Sequence, residues 1–185
     1  KLLSYQTSEI VYDFTAKFCD KYVTRGSNGG YTRTHDQMVQ AARSGKQNIA
    51  EGCQASGTSK KTELKLVNVA KASLEELLLD YEDFLRQRGF VKWQKDDPRA
   101  KKIRDLAYMS NKSYATYAGF LDNPESAANC AISLIHQANF LLDRQLKTLE
   151  NDFLKNGGFS ENLTKARNES RKNDIMKNWF NKMGE

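Results

Sequence analysis

Residues 59–85 read SKKTELKLVNVAKASLEELLLDYEDFL, and this stretch decides the fold. Leu66, Val67, Ala70, Leu74, Leu77, Leu78, Tyr81, Phe84 and Leu85 recur at three- and four-residue spacing, which lays them along one broad face of a single helix. Thr58 or Ser59 is placed to cap its start, Glu63 falls in the first turn, where the helix dipole favours an acid, and Gly89 marks its end. A face this wide has to be buried against other helices.

Upstream, Ile10, Val11, Phe14, Phe18 and Tyr22 keep helical spacing from Ser4 to Arg25, and Gly26 is expected to stop that helix ahead of a flexible loop over residues 26–31. Thr34 with Gln37 has the form of a capping box, predicting a second helix over about His35 to Glu51 and a break over residues 52–57. Its stripe of Met38, Ala42, Gly45, Ile49 and Gly52 is small enough to let a neighbouring backbone come close. Beside it, Ser44, Asn48 and Glu51 need either solvent or hydrogen-bond partners.

Downstream, Asp97-Pro98 reads as N-cap and first helical residue. Ile103, Ala107, Tyr114, Tyr117 and Leu121 continue the helical spacing to about Asp122, with a weak point at residues 110–113. Asn123-Pro124 repeats the signature and opens a helix to about Lys155, expected to bury Cys130, Ala131, Leu134, Ala138, Leu141, Leu142 and Leu149 and to end at Gly157 and Gly158. From Ser160 onward the chain is charged, with Leu163, Ile175, Met176, Trp179 and Phe180 as its main apolar residues. The predicted architecture is all-α: an up-and-down four-helix bundle over residues 1–156, an inserted helical segment at about 90–122, and a C-terminal helix or tail over 157–185.

Composition agrees with amphipathic helices. Of 185 residues, 39% are apolar and 28% charged, and only two are proline. No run approaches the roughly 18 consecutive apolar residues of a membrane span, and the chain opens without a basic-then-apolar leader pattern, so a cytoplasmic protein without membrane contact is expected. Cys19, Cys53 and Cys130 are odd in number and widely spaced, which predicts reduced core thiols.

Catalytic signatures are missing. Neither His35 nor His136 has an acid three residues before it, as a di-iron bundle requires, and these are the only two histidines, so no metal centre is expected. There is no phosphate-binding loop of the G-x-x-x-x-G-K-[ST] type and no G-x-S-x-G elbow, and no histidine lies near Cys53 in sequence to activate it. The expectation is a protein that is not an enzyme, with no cofactor and no catalytic residues.

Charge offers the one positive functional signal. Eight basic residues (Arg86, Arg88, Lys92, Lys95, Arg99, Lys101, Lys102 and Arg104) face only Asp96 and Asp97 across residues 86–104, a local excess that equals the +6 of the entire chain. Interleaved with Phe90 and Trp93, such a patch suits RNA or DNA, whose phosphates attract cations and whose unpaired bases stack on aromatic rings. These eight residues and Trp93 are the candidate nucleic-acid-binding set, with Lys46, Lys60, Lys61 and Lys65 as secondary contacts. The alternative is a solvated turn whose aromatics pack on the bundle, in a protein that serves as an interaction scaffold.

Residues 41–52, AARSGKQNIAEG, followed by a short Gly/Ser loop and the 59–85 helix, resemble the hallmark of a bacterial four-helix-bundle family. Its founding members are encoded in intervening sequences of large-subunit ribosomal RNA genes, and it includes Avd, the accessory protein of diversity-generating retroelements. The matching elements are Asn48 to Gly52 and Ser73 to Leu77. The likeness covers about residues 5–90 and, more weakly, 125–155. It implies a non-catalytic protomer that assembles into a homopentamer and, in the retroelement members, binds nucleic acid and a reverse transcriptase. The insertion and the segment after Gly157 resemble longer variants that carry a C-terminal suffix.

Overall fold

The computed structural model describes residues 2–23, 30, 32–157 and 159–183. Arg25, Gly26, most of the expected 26–31 loop and Gly158 lie outside the described residues, as does the side chain of Phe180. Among the described residues there is no strand: α1 (Leu3–Tyr22), α2 (Arg33–Ala55), α3 (Lys60–Gln87), α4 (Pro98–Leu106), α5 (Tyr114–Tyr117), a 3-10 turn (Ala118–Asp122), α6 (Pro124–Asn156) and α7 (Phe159–Met183).

The capping chemistry explains where the helices begin. Ser59 accepts a hydrogen bond from the Thr62 amide at 3.2 Å, Asp97 from Arg99 at 2.8 Å, and Asn123 from Ser126 at 3.0 Å, with Pro98 and Pro124 at the first helical positions. The second helix corrects the expectation. Its N-cap is Thr32, whose hydroxyl accepts from the His35 amide at 3.3 Å, and Thr34 lies inside the first turn. It also continues past Gly52 to Ala55, because Gly52 packs on α3: a Cβ there would sit 3.5 Å from Leu66 and Val67 side-chain atoms.

The four long helices α1, α2, α3 and α6 form a closed cycle of antiparallel neighbours. Between α1 and α2, His35 meets Asp20 at one end while Lys46 lies over the Tyr12 ring further along. Ser44 and Ser73 hydroxyls are 2.9 Å apart across α2 and α3. Lys60 to Asp152, Lys71 to Asp143 and the Asn139 amide to Glu75 join α3 to α6 at 3.4, 2.5 and 2.9 Å. The cycle closes where the Ser4 hydroxyl donates to Gln145 and the Tyr22 hydroxyl donates to the Leu121 carbonyl just before α6.

Inside the cycle lie Phe14, Phe18, Ile49, Leu74, Leu77, Tyr81, Leu134 and Ile135, all fully buried, with Phe18 edge-on to both Tyr81 and Phe84 at 4.8 Å. Gly45 is buried against α3, and a Cβ at that position would come within 2.8 Å of Leu74 Cδ2. The polar stripe next to it is satisfied: Asn48 Nδ2 donates to the Ser44 carbonyl and hydroxyl, and Ser44 shares a hydrogen bond with Ser73.

Some expectations need further correction. Cys19 and Cys130 are buried free thiols, but Cys53 is exposed, because α2 turns that position outward near its end. Leu141 and Leu149 are half-buried rather than buried. The inserted segment breaks at residues 107–113 into two separate helices, and it buries Ile103, Tyr117 and Leu121 against the long helices. In α7 every side chain described within residues 162–179 is exposed.

Candidate functional site

Residues 88–104 leave the end of α3, cross to α6 and return as α4. The crossing is held by one asparagine. Asn129 on α6 is 2% exposed, and its amide mimics a strand partner: Nδ2 donates to the Val91 carbonyl at 2.9 Å, and Oδ1 accepts from the Trp93 amide at 2.7 Å. Two residues on, Arg104 donates to the Lys95 carbonyl at 2.7 Å and fixes the turn into α4.

The candidate cations fall into two groups. Arg86 is paired with Asp83 at 2.8 Å, and Arg88 lies 3.9 Å over the Phe84 ring and donates to the Tyr22 carbonyl. Lys92 is paired with Glu82. Arg99 makes a two-pronged contact with Asp97, 2.8 and 3.1 Å, and reaches Glu125 at 3.6 Å. The Arg99 hydrogen bond holds the Asp97 carboxyl below the usual range. Lys95, Lys101 and Lys102, by contrast, are exposed and form no ion pair among the described residues.

Trp93 is half-buried and engaged on two sides. Its Nε1 donates to Glu125 at 3.1 Å, and the Arg99 guanidinium sits 4.2 Å over the ring. Phe90 packs on Phe84 at 6.4 Å and belongs to the margin of the core. The indole stands between two clefts. One, of about 400 Å³, includes Arg99, Lys102, Phe120 and Glu125. The other, of about 560 Å³, lies between the 92–104 segment and α6, with buried Ala100 and Ile132 in its lining and Phe140 exposed in it.

The secondary lysines are not gathered with this patch. Lys60 belongs to the far end of α6, where it pairs with Asp152, and Lys46 covers Tyr12; Lys61 and Lys65 are exposed beside Lys60 at the start of α3. Of the histidines, His35 is buried with Nδ1 3.3 Å from Asp36 and Nε2 3.4 Å from Asp20, and exposed His136 lines the larger cleft. Although Cys53 is exposed, partial desolvation by its neighbours and the nearby Glu63 carboxylate push its thiol up, away from the thiolate a nucleophile needs. Among the described residues no three His, Cys, Asp or Glu side chains gather as a metal-holding group, and no helix is long and apolar enough to cross a membrane.

The roles of Asn129, Gln137 and Phe140 were not found from sequence. Asn129 and Gln137 are amides within a long helix, and Phe140 is an apolar residue off the buried stripe. No protein-family model, no curated protein and no solved structure matches this chain.

Proposed function

We propose that the chain is a non-catalytic, self-associating protein built on an up-and-down four-helix bundle, and that it binds RNA or DNA as an accessory factor of the intervening-sequence or retroelement type. The observation that carries the nucleic-acid reading is the trio Lys95, Lys101 and Lys102, exposed cations without carboxylate partners among the described residues, in a segment pinned to α6. Cations already paired with acids have less to offer a phosphate, so the weight of the interface falls on these three and on Arg104. The AARSGKQNIAEG segment supports the family assignment, and through it a reverse transcriptase is the protein partner proposed. The burial of His35 supports the non-catalytic reading, since the residue is 6% exposed and has little access to a substrate.

Each phosphate contact releases counterions, so affinity should fall steeply between about 50 and 200 mM salt. Changing Lys95, Lys101 and Lys102 together to glutamine should lower affinity and flatten that slope by roughly three units of log K against log salt, whereas Lys92→Gln should alter it far less. Equal binding by parent and triple variant across that range would refute the assignment. The second reading, a protein-interaction scaffold without a nucleic-acid role, then takes its place; exposed Leu163, Ile175 and Met176 on α7 favour it.

A further inference from the structure

The exposed side of α3 carries acid that no cation among the described residues balances. Leu79 is 63% exposed, and Glu76 and Asp83 stand one turn to either side of it on the same face. Glu76 and Asp80 form no ion pair among the described residues, and Asp83 is matched only by Arg86. The Asp80 carboxyl is pushed above its usual range, first by burial and then by Glu76 and Asp83, so these acids repel one another. The face is an apolar side chain bordered by negative charge.

The cleft between residues 92–104 and α6 has the opposite character. On α6 it presents half-buried Gln137 and exposed Phe140, with Arg144 5.9 Å from the Phe140 ring. Its other wall carries Lys92, Lys95 and Arg104, and no carboxylate lines it. The volume, about 560 Å³, falls within the range of binding clefts, roughly 300–1,000 Å³. The Asn129 clamp and the Arg104 hydrogen bond to the Lys95 carbonyl hold the walls in place before anything binds.

These two surfaces belong to one chain but do not meet in it. Leu79 is not part of the cleft lining, and no ion pair among the described residues joins Glu76 or Asp80 to Lys95. Neither surface is free to shift, because fully buried Leu74, Leu77 and Tyr81 anchor α3 and residues 91–95 are clamped to α6. A lone phosphate would match the cations and leave Phe140 uncovered, and an uncharged apolar segment would do the reverse. The exposed side of α3 answers both needs at once, and every copy of the chain carries it.

We propose that the cleft receives the exposed side of α3 from a second copy of the chain, with Leu79 packed against Phe140 and with Glu76 and Asp83 over the cations at the rim. This rests on the self-association proposed above and gives it a surface. Burial of Leu79 drives the contact, while the charges set which faces meet. The two patches differ, so the contact is head-to-tail. Lys101 and Lys102 do not line the cleft, which leaves them to phosphate.

The test is a charge exchange, read by light scattering on the full chain at tens of micromolar. Glu76→Lys and Lys95→Glu each alter an exposed side chain and place like charges across the contact. Circular dichroism checks that both variants remain helical. The parent should scatter as a multiple of 21.1 kDa, and each variant alone should shift toward 21.1 kDa. An equimolar mixture of the two variants, and a chain carrying both substitutions, should regain the parent's mass, because every contact again brings opposite charges together. If the parent assembles and both single variants keep its mass, the copies meet through other faces and this contact is overturned while self-association stands. Loss of mass that neither the mixture nor the double variant restores would also overturn it. A parent that scatters as a monomer removes the contact and the self-association together.

Discussion

Tyr81 and Tyr117 are both fully buried phenols, but only one hydroxyl has a partner among the described residues. Tyr81 donates to Thr15 Oγ1 at 3.0 Å, whereas the Tyr117 hydroxyl is buried and unpaired. Removing the first hydroxyl strands Thr15 in the core; removing the second relieves a desolvated group. Tyr81→Phe should therefore lower stability by about 1–3 kcal/mol, while Tyr117→Phe should leave it unchanged or raise it, as read from urea midpoints at constant slope. Asp80 gives a second residue-level expectation. Burial, then Glu76 and Asp83 on the same helix, push its carboxyl above the usual 3.8. The folded protein thus holds this proton to higher pH than the unfolded chain does, and its contribution to stability declines as pH rises from about 3.8 through the raised folded value. Asp80→Asn should stabilise the protein at neutral pH, with the gain vanishing toward pH 3.8. A gain that persisted undiminished in acid would assign it to packing instead. Neither expectation was readable in full from the sequence, because the Thr15 partner of Tyr81 and the burial of Asp80 both depend on what other elements bring alongside.

At the scale of elements, apolar periodicity and capping residues were enough to place α3 and α6 nearly to their ends, since Ser59, Asn123 and the proline after it act locally. Local chemistry failed where a neighbour overrode it. Gly52 resembles a helix stop, but α3 packs against it and α2 runs on to Ala55. Thr34 has the right partner three residues later, but Thr32 occupies the cap. The same distinction governs the site: the basic run at residues 86–104 was legible as charge, but nothing in it announces that Asp83, Glu82 and Asp97 occupy three of its eight cations, or that Asn129 clamps it. Gly45 is the case where a tertiary reading of sequence succeeded. Its small size suggested a close helix contact, and the 2.8 Å approach of a Cβ to the fully buried Leu74 makes any side chain there intrusive. Gly45→Leu should cost about 1–3 kcal/mol through overpacking, in opposition to its better helix propensity. A melting temperature at or above the parent's would mean that α2 and α3 separate at this point.

At the scale of the whole molecule, the closed cycle of long helices accounts for the buried apolar faces but leaves others uncovered. On α3, Val69, Ala72, Glu76 and Leu79 follow a three-and-four spacing along the exposed side, with Val69 40% and Leu79 63% exposed. Tyr108 and Met109 stand out from the inserted segment, and Leu163, Ile175 and Met176 from α7. The self-association proposed above would cover such surface, and a ring would repeat the basic segment on every subunit and multiply the proposed hold on one nucleic acid strand. The chain should therefore run in light scattering at a multiple of its 21.1 kDa mass at tens of micromolar. Leu79→Lys lies on a helix face outside the core, so it should leave the fold's thermal transition in place while shifting the mass toward the monomer. Salt sensitivity separates the two levels of organisation. An assembly held by apolar faces should keep its mass as salt rises, while nucleic-acid binding weakens steeply under the same conditions. A parent that scatters as a 21.1 kDa monomer would remove the multivalent ring from the account and leave each basic segment to act alone.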